Sequence, residues 1–187
     1  DLVVAIAPTY GMYKVCADIN DVEYRSVPLS EDWQIDTKAL LNATDANTKV
    51  VWICSPNNPT CNDFPRETIH DVLVGFNGIV VIDEAYSDFS TQLPFRNVID
   101  NYPNLIVLNT FSKAWASAAI RLGMAFASEE IIGLFNRVKY PYNVNLLTQE
   151  KASEVLADFE HVESWMNQIK REREHVLPAL NELPIEI

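Results

Sequence analysis

The stretch IVVIDEAY at residues 79–86 has four consecutive apolar residues followed at once by two acidic residues, an alanine and a tyrosine. Two further apolar runs, VVWIC at 50–54 and LIVL at 105–108, each stand about one strand–helix unit away. Uninterrupted apolarity of this length is typical of strands that helices cover on both faces. The three runs therefore predict an α/β fold whose central sheet is mainly parallel and flanked by helices.

The rest of the chain supplies further elements of this fold. Residues 2–7 and 122–127 are predicted strands, because both segments are short and apolar. Ser128 stands before two glutamates and is a good helix N-cap. Predicted helices occupy the segments between the strands and the end of the chain, at residues 10–19, 65–76, 95–101, 129–138 and 146–183.

Composition excludes several classes of partner. The 187 residues include 14 basic and 26 acidic side chains, for a net charge of −12. This sign excludes a uniformly basic nucleic-acid binder and a protein held on anionic lipid by general charge, so neither nucleic acid nor membrane is an expected partner. The chain has 5 glycines and lacks both GxGxxG and GxxxxGK[ST]. A bound phosphate would therefore depend on side chains and a helix end.

The cysteines and histidines give no sign of disulfides or a metal site. Cys16, Cys54 and Cys61 are odd in number and lack CxxC spacing, which is typical of reduced thiols in a cytoplasmic protein. The sequence shows no run of 18 apolar residues, and its first residues lack the basic region of a signal peptide. We expect His70, His161 and His175 on helix surfaces. The sequence predicts no metal site.

A polar group follows each of the three central strands. Asn58 lies in a turn between two prolines, Asp83 directly follows Ile82, and Lys113 comes shortly after the third strand. Each residue alone has a plain structural interpretation: a turn, a helix-capping carboxylate and a surface lysine. An Asp-Glu strand end also occurs in Walker-type nucleotidases, but the absent phosphate loop disfavours that class. The carboxyl ends of parallel strands lie at one edge of a sheet, so the three groups are expected together.

The combination matches the chemistry of one cofactor, pyridoxal 5′-phosphate. Its aldehyde needs a lysine, its pyridine nitrogen a carboxylate, and its phenolic oxygen hydrogen-bond donors. Its phosphate needs an arginine with hydroxyls, and Arg121 stands eight residues after Lys113. The sequence therefore predicts a pyridoxal-phosphate site at the strand ends.

Four segments carry a family resemblance: APTYGMY at 7–13, SPNNPT at 55–60, VIDEAYSDF at 81–89 and NTFSKAWASAAIRLG at 109–123. They resemble the pyridoxal-phosphate-dependent aminotransferases of the aspartate aminotransferase fold (fold type I), and most closely the histidinol-phosphate aminotransferase branch. The resemblance runs from about residue 2 to residue 183. It implies a homodimer that transfers an amino group between L-histidinol phosphate and 2-oxoglutarate in histidine biosynthesis.

The resemblance also implies a role for each matched residue. Lys113 matches the lysine that binds the cofactor covalently and then moves the proton. Asp83 matches the partner of the pyridine nitrogen, while Tyr86 and Asn58 match the residues bonded to the phenolic oxygen. Tyr10 matches the aromatic residue that stacks on the ring of the cofactor. The phosphate ligands are matched by Thr110, Ser112 and Arg121.

The chain departs from the family pattern in three ways. Cys61 stands where the family usually has glycine, so a positive φ there would be strained. Residues 116–119 read ASAA, where relatives often carry glycine. The chain is also short for the family: residues 1–187 match the cofactor-binding large domain, and the N-terminal arm and the small C-terminal domain, with its substrate-binding arginine, have no counterpart.

Two alternatives to the histidinol-phosphate reaction remain open. One is a different fold type I enzyme, either another amino-acid aminotransferase or a decarboxylase, because related branches share these motifs. The other is a catalytically inactive fragment that binds cofactor or merely folds and dimerises, because the matched segments cover only the large domain.

Overall fold

The computed structural model describes residues 1–184 and contains a six-stranded sheet. The strands are β1 (Leu2–Ala7), β2 (Glu23–Pro28), β3 (Thr48–Cys54), β4 (Ile79–Asp83), β5 (Leu105–Thr110) and β6 (Gly123–Ala127). Their order across the sheet is β2-β1-β3-β4-β5-β6.

Four of the strand pairings are parallel, which confirms the predicted α/β fold. They join β1 to β2, β1 to β3, β3 to β4, and β4 to β5. Since β2 and β3 lie on opposite sides of β1, the direction in which strands are added reverses there. In open α/β sheets such a reversal opens a crevice at the carboxyl ends of the strands, where ligands bind.

Residues 1–184 contain six α-helices: α1 (Met12–Ile19), α2 (Thr37–Asn42), α3 (Arg66–Gly75), α4 (Glu129–Val138), α5 (Leu146–Ala157) and α6 (Phe159–Leu180). Three 3-10 segments add to them: Ser87–Phe89, Phe95–Asn101 and Ala118–Ile120. Ser128 caps α4 as predicted, because its hydroxyl accepts a hydrogen bond from the amide of Ile131. In the described part of the chain no helix is both long and apolar enough to cross a membrane.

The chain divides into two compact units. The first comprises Asp1–Asn109 and Gly123–Pro141 and holds the main hydrophobic core, with Val4, Ile53, Ile82 and Val107 essentially inaccessible to solvent. The second comprises Thr110–Leu122 and the chain from Tyr142 onward, including α5 and α6. Its buried side chains include Ala152, Val162 and Met166.

Several predicted boundaries need correction. The first helix begins at Met12 rather than at residue 10, so Tyr10 lies in the preceding loop. The helical segment 146–183 is two helices separated at Asp158. Residues 95–101 form a 3-10 segment with a kink at Val98.

All three histidines lie on helices, His70 in α3 and the other two in α6. Residues 1–184 contain no cluster of three or more side chains able to hold a metal ion.

The sequence did not reveal β2 and α2. Strand β2 reads EYRSVP and buries only Val27, because it forms the edge of the sheet beside β1. An edge strand needs little apolar surface, so the usual signal of a buried strand is missing. Helix α2 has only six residues and buries only Leu40, which is too short for a clear helical period.

Candidate active site

Two loops meet where the strand order reverses, and the side chain of Asn57 joins them. The loop after β1 contains Thr9, whose hydroxyl donates to Asn57 Oδ1 at 2.8 Å. Asn57 Nδ2 donates to the carbonyl of Pro8 at 3.0 Å and to Thr60 Oγ1 at 2.7 Å. Asn57 is only 2% exposed. It therefore fixes the course of the loop after β3, and its neighbour Asn58 is half-buried.

Asp83 ends β4 beside these loops. The register of β4 sets Asp83 opposite Cys54 of β3 on one side and Leu108 of β5 on the other. Its Oδ2 accepts a 2.7 Å hydrogen bond from the hydroxyl of Tyr13, and its Oδ1 accepts a 3.0 Å bond from the amide of Ala85. Two carboxylate oxygens offer about four lone pairs. The oriented carboxylate can therefore accept a further donor from a ligand.

Tyr13 lies on α1, donates the hydrogen bond to Asp83 and stacks on a second aromatic ring. Its ring stacks on Trp52 of β3, with centroids 4.6 Å apart and ring planes at 17°. Burial raises the pKa of the Tyr13 hydroxyl, and the neighbouring Cys54 thiol and Asp83 raise it further. Tyr13 therefore stays protonated and remains a donor to Asp83. Burial and Asp83 also raise the pKa of the Cys54 thiol to about 12, which keeps that group neutral.

Tyr10 lies in the loop before α1, three residues ahead of Tyr13. Its ring meets the edge of Tyr13 at 5.6 Å between centroids, with the planes at 83°. Tyr10 is 44% exposed. It thus leaves ring surface accessible beside Tyr13, which bonds Asp83, and a flat ligand could stack there.

Tyr86 follows Asp83 in a turn that a buried glutamate supports. The amide of Glu84 donates to the carbonyl of Leu108 at 2.8 Å, and the amide of Ser87 donates to the carbonyl of Glu84 at 3.0 Å. Asn109, at the end of β5, donates from Nδ2 to Ser87 Oγ at 3.2 Å. These bonds determine the course of the chain through Tyr86, which is half-buried.

Glu84 itself is 3% exposed. Its Oε1 accepts a 2.5 Å hydrogen bond from the amide of Phe95, and its Oε2 lies 3.6 Å from Arg96 Nη1. Burial raises the pKa of the Glu84 carboxyl to about 6, although the Phe95 amide and the guanidinium groups of Arg96 and Arg66 oppose that rise.

In the second unit, the turn after β5 carries Lys113 and the predicted phosphate ligands. Thr110 Oγ1 donates to the carbonyl of Leu122 at 3.2 Å and lies 3.0 Å from Ser112 Oγ. The amide of Phe111 donates to the same Leu122 carbonyl at 3.1 Å. Residues 110 and 111 are thus bonded to Leu122, which follows Arg121, and the hydroxyls of Thr110 and Ser112 lie next to each other. Both Lys113 and Arg121 are exposed, and the Arg121 guanidinium donates to the carbonyl of Ala118 at 2.8 Å.

The predicted strain at Cys61 is confirmed. Cys61 has a φ of 61°, in the left-handed region that favours glycine. In the segment 116–119, Ala116 has a φ of 48°, and Arg121, just beyond it, has a φ of 51°. The departures from glycine at 61 and 116 therefore leave side chains on unfavourable backbone close to both predicted parts of the site.

The structure adds two residues that the sequence did not single out, Tyr13 and Asn57. Tyr13 has the sequence signature of an ordinary aromatic on a helix face, and a buried tyrosine hydroxyl, which needs a partner, is the signal that could identify it. Asn57 and Asn58 are adjacent and identical in type, so no sequence signal separates the buried, loop-fixing residue from its half-buried neighbour.

The chain belongs to the aminotransferase class I and II family, whose model matches residues 1–187. This confirms the family resemblance of the four segments. The chain is 56% identical over 184 residues to the histidinol-phosphate aminotransferase of Bacteroides fragilis (strain YCH46), covering 98% of this chain and 53% of that protein. It therefore spans about half the length of such relatives.

Solved structures agree with the fold. The histidinol-phosphate aminotransferase of Clostridium acetobutylicum superimposes with a TM-score of 0.89 at 26% identity, over 97% of this chain and 56% of that one. The histidinol-phosphate aminotransferase of Sinorhizobium meliloti, solved in complex with pyridoxal-5′-phosphate, gives a TM-score of 0.85 at 23% identity, over 94% of this chain and 49% of that one. The α/β fold with its mainly parallel sheet is thus the fold of these enzymes.

Proposed function

We propose that this chain is the cofactor-binding part of an aminotransferase that moves an amino group between L-histidinol phosphate and 2-oxoglutarate in histidine biosynthesis. The observation that carries the proposal is the carboxylate of Asp83, held at the strand ends by the Tyr13 hydroxyl at 2.7 Å and the Ala85 amide at 3.0 Å. A fixed, partly buried carboxylate in this position suits a protonated ring nitrogen.

The side chains of the described residues fit pyridoxal 5′-phosphate in chemical type. When bound, this cofactor supplies an aldehyde that attaches to amines and a ring that withdraws electrons. Asp83 would hold its ring nitrogen, Asn58 and Tyr86 its phenolic oxygen, and Tyr10 a face of its ring. The hydroxyls of Thr110 and Ser112, which meet at 3.0 Å, would hold its phosphate together with the guanidinium of Arg121.

Lys113 is the base in this proposal. Its amine would hold the cofactor in the absence of substrate, and once the substrate amine has displaced it, Lys113 Nζ would take a proton from the substrate carbon that bears the amino group. The Asp83 carboxylate would keep the ring nitrogen protonated. Tyr13 keeps the Asp83 carboxylate in one orientation, because the buried hydroxyl donates to it and does not ionise.

The relatives support the proposed substrate, and the assembly and location are part of the same proposal. Relatives such as the Bacteroides fragilis protein, 56% identical over 98% of this chain, are named histidinol-phosphate aminotransferases, and this supports L-histidinol phosphate as amino donor. We propose a homodimer in the cytoplasm, with residues 1–187 as the large domain and further substrate-binding residues contributed by the rest of a longer protein.

The test is a borohydride trap in the full-length protein. Reduction after addition of pyridoxal phosphate should label Lys113, and peptide mapping should find no label on Lys139 or Lys151, which serve as internal controls. The full-length protein should form glutamate from L-histidinol phosphate and 2-oxoglutarate. Label on another lysine would contradict the assignment of Lys113, while glutamate formed only with other amino donors would contradict the proposed substrate.

A second variant tests Asp83. Asp83→Asn keeps the shape of the side chain and removes its charge, so cofactor should still bind while turnover falls by orders of magnitude. The scale follows from the loss of several kcal/mol of charge stabilisation, with each ~1.4 kcal/mol worth a factor of ten. Turnover equal to that of the unmodified protein would remove Asp83 from the mechanism.

A further inference from the structure

Two hydrogen bonds from helices α5 and α6 end on the segment 110–122. The indole Nε1 of Trp165 on α6 donates to the carbonyl of Ala114 at 2.9 Å. The hydroxyl of Thr148 on α5 donates to the carbonyl of Ile120 at 3.2 Å. Ala114 directly follows Lys113, and Ile120 directly precedes Arg121. Each bond therefore holds a peptide group that adjoins one of the two predicted cofactor-binding cations.

The segment 110–122 contains little regular structure of its own. Its internal bonds include those from the Ala116 amide to the Lys113 carbonyl and from the Ser117 amide to the Phe111 carbonyl, both 2.9 Å. Ala116 adopts a left-handed backbone, and regular structure is limited to the last residue of β5 and the 3-10 turn Ala118–Ile120. Short turns of this kind open readily unless side chains from elsewhere hold them.

Aromatic packing in the same unit supports the bond to Ala114. Trp115 lies between Phe111 and Phe159 of α6, with ring centroids 5.4 Å and 5.8 Å away. Ala114 is 2% exposed, so its carbonyl has little access to water. If the indole donor were lost, water could not readily replace it as partner of that carbonyl. A buried, unpaired carbonyl is unfavourable.

We propose, on the basis of the proposed function, that Trp165 and Thr148 are positioning residues for Lys113 and Arg121. They contact neither substrate nor cofactor. They fix the peptide groups next to the lysine and the arginine. The backbone that carries the amine and the guanidinium is therefore held in a single conformation. Catalytic groups need such support, because small displacements of a reacting amine lower the rate strongly.

The first test measures amide hydrogen exchange across 110–122 in the full-length protein without cofactor. Trp165→Phe keeps an aromatic ring and removes the N–H donor. The amides of Ala116 and Ser117 should exchange about tenfold faster in this variant, the factor expected from one lost hydrogen bond. Trp33→Phe is the matched control, because Trp33 is 51% exposed and lies in the other unit, and exchange in 110–122 should not change.

The second test uses Thr148→Val, which removes the hydroxyl with little change of shape, and Thr148→Ser, which restores it. Acylation of Lys113 across a pH series, read by mass spectrometry, should change in Trp165→Phe and Thr148→Val and return to the original profile in Thr148→Ser. Unchanged exchange and an unchanged Lys113 profile in both Trp165→Phe and Thr148→Val would overturn the inference. Failure of the full-length protein to bind pyridoxal phosphate would contradict the proposed function instead, and the absorbance of added cofactor reports it separately.

Discussion

At the scale of single residues, the site depends on pairs in which one side chain orients another. Asp83 offers the charge, but the hydroxyl of Tyr13 and the amide of Ala85 decide where its oxygens point. Asn57 acts in the same way on the loop that presents Asn58, through bonds to Pro8, Thr9 and Thr60.

Tyr13→Phe should destabilise the protein by about 1.5–3 kcal/mol, because a hydrogen bond to a carboxylate is lost in a largely buried setting. Turnover should also fall, since only the Ala85 amide would then orient the Asp83 carboxylate. Urea unfolding and glutamate formation measure the two effects. Tyr10→Phe is the matched control for stability, as Tyr10 is 44% exposed, and equal stability losses in the two variants would contradict the role of the Tyr13 hydroxyl.

Cys61→Gly should stabilise the protein by up to about 1 kcal/mol. Residue 61 has a φ of 61°, where a Cβ costs about 1–2 kcal/mol and glycine has no such cost, although glycine gains freedom in the unfolded chain. Urea unfolding measures the change. Cys61→Ala removes the thiol but keeps the Cβ and should bring no gain. If alanine and glycine stabilise equally, the thiol rather than the backbone is the source of strain.

At the scale of elements, Glu84 links strand β4 to the 3-10 segment Phe95–Asn101. Its carboxylate accepts from the Phe95 amide at 2.5 Å and lies 3.6 Å from the Arg96 guanidinium. Asp88, also near Arg96 at 3.9 Å, raises the pKa of Glu84, but burial is the dominant cause of the rise. The turn that carries Tyr86 therefore depends on a carboxyl group that is costly to ionise.

Stability should fall as pH rises through this group. The pKa of Glu84 is about 6 in the folded protein against an ordinary 4.5, so between these values the unfolded chain releases the proton and the folded chain keeps it. The stabilisation is complete below pH 4.5 and is lost as pH rises through 6, by about 2 kcal/mol. Unfolding free energies measured from pH 4 to 7 should show this slope, and Glu84→Gln should remove it.

Glu67→Gln serves as the control for the pH series, because Glu67 is exposed in the first turn of α3. The slope between pH 4.5 and 6 should survive in that variant. If Glu84→Gln keeps the same slope, another group is responsible for the pH dependence.

At the scale of the whole molecule, the chain spans about half the length of its relatives, for example 53% of the Bacteroides fragilis protein. We expect the isolated 187-residue chain to bind pyridoxal phosphate more weakly than the full-length protein and to form no glutamate above background. Binding energy from the far end of the substrate aligns the reacting proton, and we expect residues outside this chain to supply it. Turnover by the isolated chain close to that of the full-length protein would contradict this expectation.

The sequence by itself determined the centre of the sheet. Continuous apolar runs at 50–54, 79–82 and 105–108 are typical of parallel strands that helices cover on both faces. It also determined which polar groups follow those strands, and the four segments indicated the family. The sequence could not reveal β2, because an edge strand that buries only Val27 resembles a loop.

Tertiary structure alone decided which neighbours support the predicted residues. The bond from Tyr13 to Asp83 joins residues 70 positions apart, and that from Trp165 to Ala114 joins residues 51 apart. Such pairs leave no local pattern, because each partner also has an ordinary place on a helix or strand. They arise only when packing brings separate segments into contact, and a hydrogen bond then forms because burial makes an unpaired polar group costly.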